Sequence, residues 1–125
     1  MLAFLNMTNY ILTILAGLLG ACGVTAAAVA AHGGYGENLR TAAIFALVHA
    51  ALVIALTRGT ATRMGTLAAA MTLTGALLFC GDITVRSLIQ QTLFPMAAPA
   101  GGFLMIGGWL MASLDAAVRL KPSQG

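Results

Sequence analysis

Residues 10–32 read YILTILAGLLGACGVTAAAVAAH and contain no Asp, Glu, Lys or Arg. At 1.5 Å per residue, roughly 22 apolar positions span about 33 Å, which is enough to cross the core of a bilayer. Many of the side chains are small, and small side chains let neighbouring helices approach closely in membranes. The stretch therefore predicts a membrane-spanning helix, and we expect it to occupy the centre of a small helical bundle.

The whole chain shares this apolar character. Of its 125 residues, 60% are hydrophobic and 7% are charged, with a mean hydropathy of +0.96, whereas soluble domains carry about 25% charged residues. The composition predicts one integral membrane domain whose main partner is the lipid bilayer. Six basic and three acidic residues are too few for the clustered basic surface that binds nucleic acid.

Three further spans are expected at 39–57, 64–81 and 97–114. Glycines at 33, 34 and 36 end the first helix, and Pro95 and Pro99 bound the last one. The fold class is therefore predicted to be all-α, with four transmembrane helices in a compact bundle. The glycines expected to pack closely against neighbouring helices are Gly17, Gly20, Gly23, Gly101, Gly102 and Gly108.

Residues 83–94 fit two structures. Val85, Leu88, Ile89 and Leu93 recur at helical spacing, opposite a set of polar side chains. The segment is too polar to span a membrane, so it suits either a short interfacial helix or an extension of the third span. The sequence leaves both open.

The distribution of basic residues predicts the orientation of the chain in the membrane. Four spans place both termini and the 58–63 turn on one side of the membrane. That side holds Arg58, Arg63, Arg119 and Lys121, whereas the other holds only Arg40 and Arg86. The positive-inside rule then predicts that both termini are cytoplasmic.

Three sequence blocks resemble a known family. The first is Ala30-Ala31-His32-Gly33, at the end of an alanine-rich helix. The second joins Thr41-Ala42-Ala43 and Phe45 to His49-Ala50. The third is Pro99-Ala-Gly101-Gly102-Phe-Leu104, followed by Gly108-Trp109-Leu110. In order and spacing these blocks resemble the domain of unknown function 423 family, the YgdD-like small membrane proteins related to transmembrane protein 256.

The resemblance implies four transmembrane helices in a plasma-membrane protein, and it implies no activity. The chain departs from the family pattern at two places. Phe45 stands where the family usually has tyrosine, and Gly81-Asp82-Ile83-Thr84 replaces a Gly-Ser pair before a Tyr-Leu-Leu run.

Two histidines are candidate functional residues. His49 lies about 15 Å from the outer end of its span, and an ionisable side chain at that depth is a functional candidate. The structural alternative, which we favour, is a buried neutral ring bonded to a neighbouring helix, for example through Thr25, Thr72 or Thr74. For His32 we favour a role in capping the carbonyls at the end of the first helix.

Four charged residues are predicted at the same end as His32. Glu37, Arg40, Asp82 and Arg86 form either a polar lid over the bundle or ordinary interfacial charges. His32, Cys80 and Asp82 share this depth but lack the tight spacing of a metal site. We therefore expect no metal and no cofactor. Cys22 and Cys80 are expected to be free thiols.

Three function classes follow. A structural or accessory bundle in the bacterial inner membrane, acting as a homo-oligomer or within a larger complex, is favoured by the many packing residues. A small transporter or proton pathway would use His49 and the outer charges. The sequence does not support the third class, a membrane enzyme, because the chain has no nucleophile–base motif, phosphate loop or redox cysteine pair.

Overall fold

The computed structural model describes residues 1–121, and its elements are all α-helical. The helices are α1 (Leu2–His32), α2 (Gly36–Arg58), α3 (Arg63–Ile89) and α4 (Ala97–Arg119). Each of the four is long and apolar enough to cross a membrane. The predicted all-α bundle of four spanning helices is therefore confirmed.

The helices differ in how deeply they are buried. α2 and α3 pack against each other, α1 packs on α2 and more weakly on α3, and α4 packs mainly on α3. Ten residues of α3 are buried, compared with five of the 31 residues in α1. The expectation that α1 is the central helix is therefore wrong. Its small residues surround the helix on all sides, and lipid covers apolar side chains as readily as a neighbouring helix does.

Small side chains determine the position of α3. Ala68, Thr72, Ala76 and Cys80 recur every four residues along this helix and are all buried. On the side facing α4, Gly75 meets Gly101 so closely that a Cβ on Gly75 would lie 2.6 Å from the Gly101 carbonyl oxygen. The two helices therefore cross with their backbones in contact, as small residues allow in membranes.

The glycines expected to pack closely divide into three groups, and Gly101, at the crossing with Gly75, belongs to the tightly packed one. Gly23 lies against Ala43, Ala46 and Leu47 of α2, and Gly108 lies against Thr72 of α3, each with too little space for a relaxed side chain. A Cβ on Gly20 would make an ordinary 3.6 Å contact with Ala50. A Cβ on Gly17 or Gly102 would meet no atom of a neighbouring helix within 4 Å. Those two positions are therefore not close-packing sites within the chain.

Residues 83–89 continue α3, so the extension rather than a separate interfacial helix is correct for this part. Gln90 adopts a left-handed conformation (φ 58°) and its backbone N–H bonds to the Arg86 carbonyl, which ends the helix as a C-terminal cap. Residues 90–96 then form the connection to α4. The bundle thus has an Asp82 end, with the α1–α2 and α3–α4 connections, and an Asp115 end, with the N-terminus and the α2–α3 connection.

Candidate functional site

His49 lies in a small aromatic cluster between α2, α3 and α4. Its side chain is 6% exposed. The Phe45 ring stacks on the imidazole with centroids 5.5 Å apart, and Phe45 also contacts Phe79 of α3 at 4.8 Å. Trp109 of α4 approaches the imidazole edge-on at 6.1 Å. The cluster therefore joins three of the four helices.

Both ring nitrogens of His49 are occupied. Trp109 donates its indole N–H to His49 Nε2 at 3.2 Å, and an indole nitrogen can only donate. Nε2 must therefore be the unprotonated nitrogen of a neutral ring, and Nδ1 carries the proton and donates it to the Phe45 carbonyl oxygen at 2.7 Å. A second ring proton would point at the indole N–H, so this geometry holds a neutral imidazole.

The partner of His49 differs from the threonines that the sequence suggested. Thr25 and Thr74 are exposed, and Thr25 bonds to the Ala21 carbonyl of its own helix. Thr72 is buried, but its hydroxyl has no hydrogen-bond partner within residues 1–121. Trp109 is the hydrogen-bond partner of His49 on a neighbouring helix instead. The available signal was the Gly108-Trp109-Leu110 block, because a tryptophan in an apolar helix needs an acceptor for its N–H.

Asp82 is the second polar centre and is fully buried. Its Oδ2 accepts from Arg86 Nε at 2.8 Å, and its Oδ1 accepts from the backbone N–H of Leu93 at 2.9 Å. The guanidinium side chain of Arg86 is 48% exposed. The carboxylate therefore attaches the α3–α4 connection to the end of α3, which is a structural task.

The other candidate residues at the Asp82 end do not join this pair. His32, Glu37 and Arg40 are exposed, and Glu37 and Arg40 line a shallow pocket of about 350 Å³ beside Gly34 and Gly36. The first helix ends through a backbone bond from Gly33 to the Val29 carbonyl, rather than through a His32 side-chain cap. Within residues 1–121 no three His, Cys, Asp or Glu side chains converge as metal ligands do.

A polar cluster that sequence reasoning missed closes the Asp115 end. Thr62 caps α3 by accepting from the Gly65 N–H at 3.0 Å, and it donates to Asp115 Oδ1 at 2.8 Å. Arg119 pairs with Asp115 Oδ2 at 2.8 Å and also reaches the Thr60 carbonyl. An i,i+4 spacing such as that of Asp115 and Arg119 is typical of an ion pair on one helix, but only the tertiary structure brings in the α2–α3 connection.

A second missed feature lies between the first half of α1 and its neighbours. Asn9 is buried and accepts from Thr66 of α3 at 2.9 Å, while Thr13 and Thr57 of α2 bond to each other at 2.7 Å. Next to these bonds is a polar pocket of about 310 Å³. Its lining residues are Asn6, Asn9, Tyr10, Thr57, Arg58 and Gly59.

Two apolar pockets open on the other half of α1, toward α3. They have volumes of about 400 and 290 Å³ and share Cys22, Ala26 and Thr84. Cys22 is exposed there, while Cys80 is buried, and both are free thiols. The two pockets together are called the Cys22 groove.

Comparison with known proteins identifies the family. No solved structure matches this chain. A family model described as protein of unknown function (DUF423) matches residues 17–102, which include His49 and Asp82 but end before Trp109. The match covers more than half of the chain, and the chain therefore belongs to the DUF423 family of proteins of unknown function.

Proposed function

We propose that this membrane protein is a structural or accessory bundle rather than an enzyme, located in the bacterial inner membrane. The observation that carries the proposal is the state of His49. Both of its ring nitrogens are bonded inside the bundle, so this ionisable side chain near mid-membrane serves to join α2 to α4. A side chain with no free nitrogen and 6% exposure is poorly placed to pass protons.

The alternative of a small transporter or proton pathway receives no comparable support. Such a pathway would need His49 to connect with polar groups at the Asp82 end. The Asp82 carboxylate is occupied by Arg86 and Leu93, and His32 and Glu37 are exposed rather than gathered into a relay. The polar residues hold helices and connections together instead.

An accessory role requires a surface for a partner, and we propose the apolar groove beside Cys22. To test it, Cys22 is replaced by the photoactivatable amino acid p-benzoylphenylalanine, incorporated during synthesis, and the native membranes are irradiated. We expect one discrete cross-linked product, either a dimer of this chain or a complex with one other membrane protein. The matched control places the same amino acid at Leu110, on the exposed outer face of α4, and should give no such product.

Two results would contradict the accessory role. The first is a probe at Cys22 that labels only lipid. The second is a proton flux in proteoliposomes that disappears in His49→Gln while the protein remains folded. The second result would establish the transport alternative, because glutamine retains an acceptor for the Trp109 N–H but cannot carry a proton at neutral pH.

We further propose that both termini are cytoplasmic. The support is the excess of Arg58, Arg63, Arg119 and Lys121 at the Asp115 end over Arg40 and Arg86 at the other end. A reporter fused after Gly125 that is active only after export should therefore be inactive, and the same reporter inserted between Gly34 and Tyr35 should be active. The reverse pattern would reject this orientation.

A further inference from the structure

The polar pocket at the Asp115 end has the character of an anion site. Its lining includes Arg58, which carries a guanidinium group, Tyr10, which carries a hydroxyl group, and Asn6, which carries an amide, and none of the described lining residues is acidic. Among residues 1–121, Arg58 forms no ion pair. The one acidic side chain at this end, Asp115, is already bound by Arg119 and Thr62. The pocket therefore presents an uncompensated positive charge among hydrogen-bond donors.

Asn9 gives a second, independent indication. Its side chain is 5% exposed, and its oxygen is bonded to Thr66. Its NH₂ group has no partner within the described part of the chain and belongs to the pocket lining. This NH₂ group remains accessible from the pocket, so an acceptor bound there would receive a hydrogen bond from it.

The depth of the pocket favours a lipid over a free anion. Arg58 is the last residue of spanning helix α2, and Tyr10 begins the predicted first span, so the pocket lies at the level of the headgroups. Below it, Tyr10, Thr13 and Gly17 follow one another at i, i+3 and i+7 on one side of α1. The space next to Gly17 is open, which leaves room for an acyl chain along the helix.

We propose that this pocket binds the phosphate of an anionic phospholipid, with the guanidinium of Arg58 and the amide of Asn9 as donors and an acyl chain lying over Gly17. Basic pockets between helices on the cytoplasmic side are a recurring mode of anionic lipid recognition. The site does not depend on the accessory role, since it lies on a different half of α1 from the Cys22 groove.

The test is native mass spectrometry of the detergent-purified full chain titrated with phosphatidylglycerol. We expect one tightly bound lipid, and Arg58→Gln should weaken its binding about tenfold, as the loss of a charged hydrogen bond does. Arg63→Gln is the matched control. It removes the same charge from the same end, but Arg63 contacts the Met1 sulfur and is not part of the pocket lining, so affinity should change less than about twofold.

Three further comparisons identify the source and place of binding. Phosphatidylcholine should bind more weakly than phosphatidylglycerol, and inorganic phosphate at millimolar concentration should not displace the lipid. Tyr10→Phe should reduce affinity without changing thermal stability. The proposal is overturned if Arg63→Gln weakens binding as much as Arg58→Gln, if phosphate competes fully, or if a second copy of the chain displaces the lipid.

Discussion

Gly75→Ala is expected to destabilise the bundle by about 3 kcal/mol, the upper end of the usual cost of overpacking. The new methyl carbon would lie 2.6 Å from the Gly101 carbonyl oxygen and 2.7 Å from the Met105 backbone nitrogen. Backbone atoms cannot rotate away as a flexible side chain can, so α3 and α4 must separate. To measure the change, the protein in mild detergent is titrated with sodium dodecyl sulfate, and its unfolding is monitored by circular dichroism.

Gly102→Ala is the matched control for this prediction. It adds the same methyl group on α4, one residue from the crossing, where a Cβ would meet no atom of a neighbouring helix within 4 Å. Alanine is favoured over glycine inside a helix, so this variant should be as stable as the parent or slightly more stable. Equal losses for Gly75→Ala and Gly102→Ala would show that the close crossing of α3 and α4 is wrong.

The reciprocal substitution on α4 tests the same backbone contact from the other side. Gly101→Ala places its methyl group 2.6 Å from the Gly75 carbonyl oxygen and the Phe79 backbone nitrogen, so it should cost about as much as Gly75→Ala. One separation of the helices relieves both clashes. The double variant should therefore lose clearly less stability than the sum of the two single losses.

Arg86→Gln is expected to destabilise the protein by about 3 kcal/mol, although the Arg86 side chain is half-exposed. The reason lies in its partner, because Asp82 is fully buried and would lose the cation that pairs with it among residues 1–121. Removing one partner of a buried ion pair typically costs about 3–5 kcal/mol, and the exposure of Arg86 to solvent places the value at the lower end. Thermal unfolding in detergent provides the measurement.

A second substitution should rescue this variant. Asp82→Asn in the Arg86→Gln background removes the buried charge but leaves an amide oxygen that accepts from Leu93, so much of the stability should return. Arg40→Gln is the control, since Arg40 is exposed at the same end and forms no ion pair within residues 1–121. A change below about 0.5 kcal/mol is expected there. A double variant as unstable as Arg86→Gln would contradict the buried-charge argument.

The sequence marked Asp82 and Arg86 as candidate functional residues, but it gave no indication that Gly75 lies at a helix crossing. Asp82 and Arg86 were candidates because they are charged residues predicted at the same end of the bundle as His32, and in the structure they form an i,i+4 ion pair. Gly75 was not a candidate, although its backbone lies against that of Gly101 where α3 and α4 cross. A glycine in an apolar helix has the same sequence signature whether it faces a neighbouring helix, as Gly101 does, or open space, as Gly102 does.

The sequence by itself determined that lipid surrounds the helices, that the fold is all-α and that the number of spans is four. Apolar runs of about twenty residues can satisfy their backbone groups in lipid only as helices, and the glycine and proline positions mark where those helices end. It also indicated family membership, through blocks whose spacing is a property of the chain alone.

Only the tertiary structure decided which helix is central and which polar groups meet. Lipid tails are as apolar as leucine, so hydropathy does not distinguish a lipid-facing helix such as α1 from a buried one such as α3. The bonds of His49 to Trp109, Thr62 to Asp115 and Asn9 to Thr66 join residues more than 50 positions apart. Such pairs arise from the angles at which the helices pack, and no local spacing in the sequence encodes those angles.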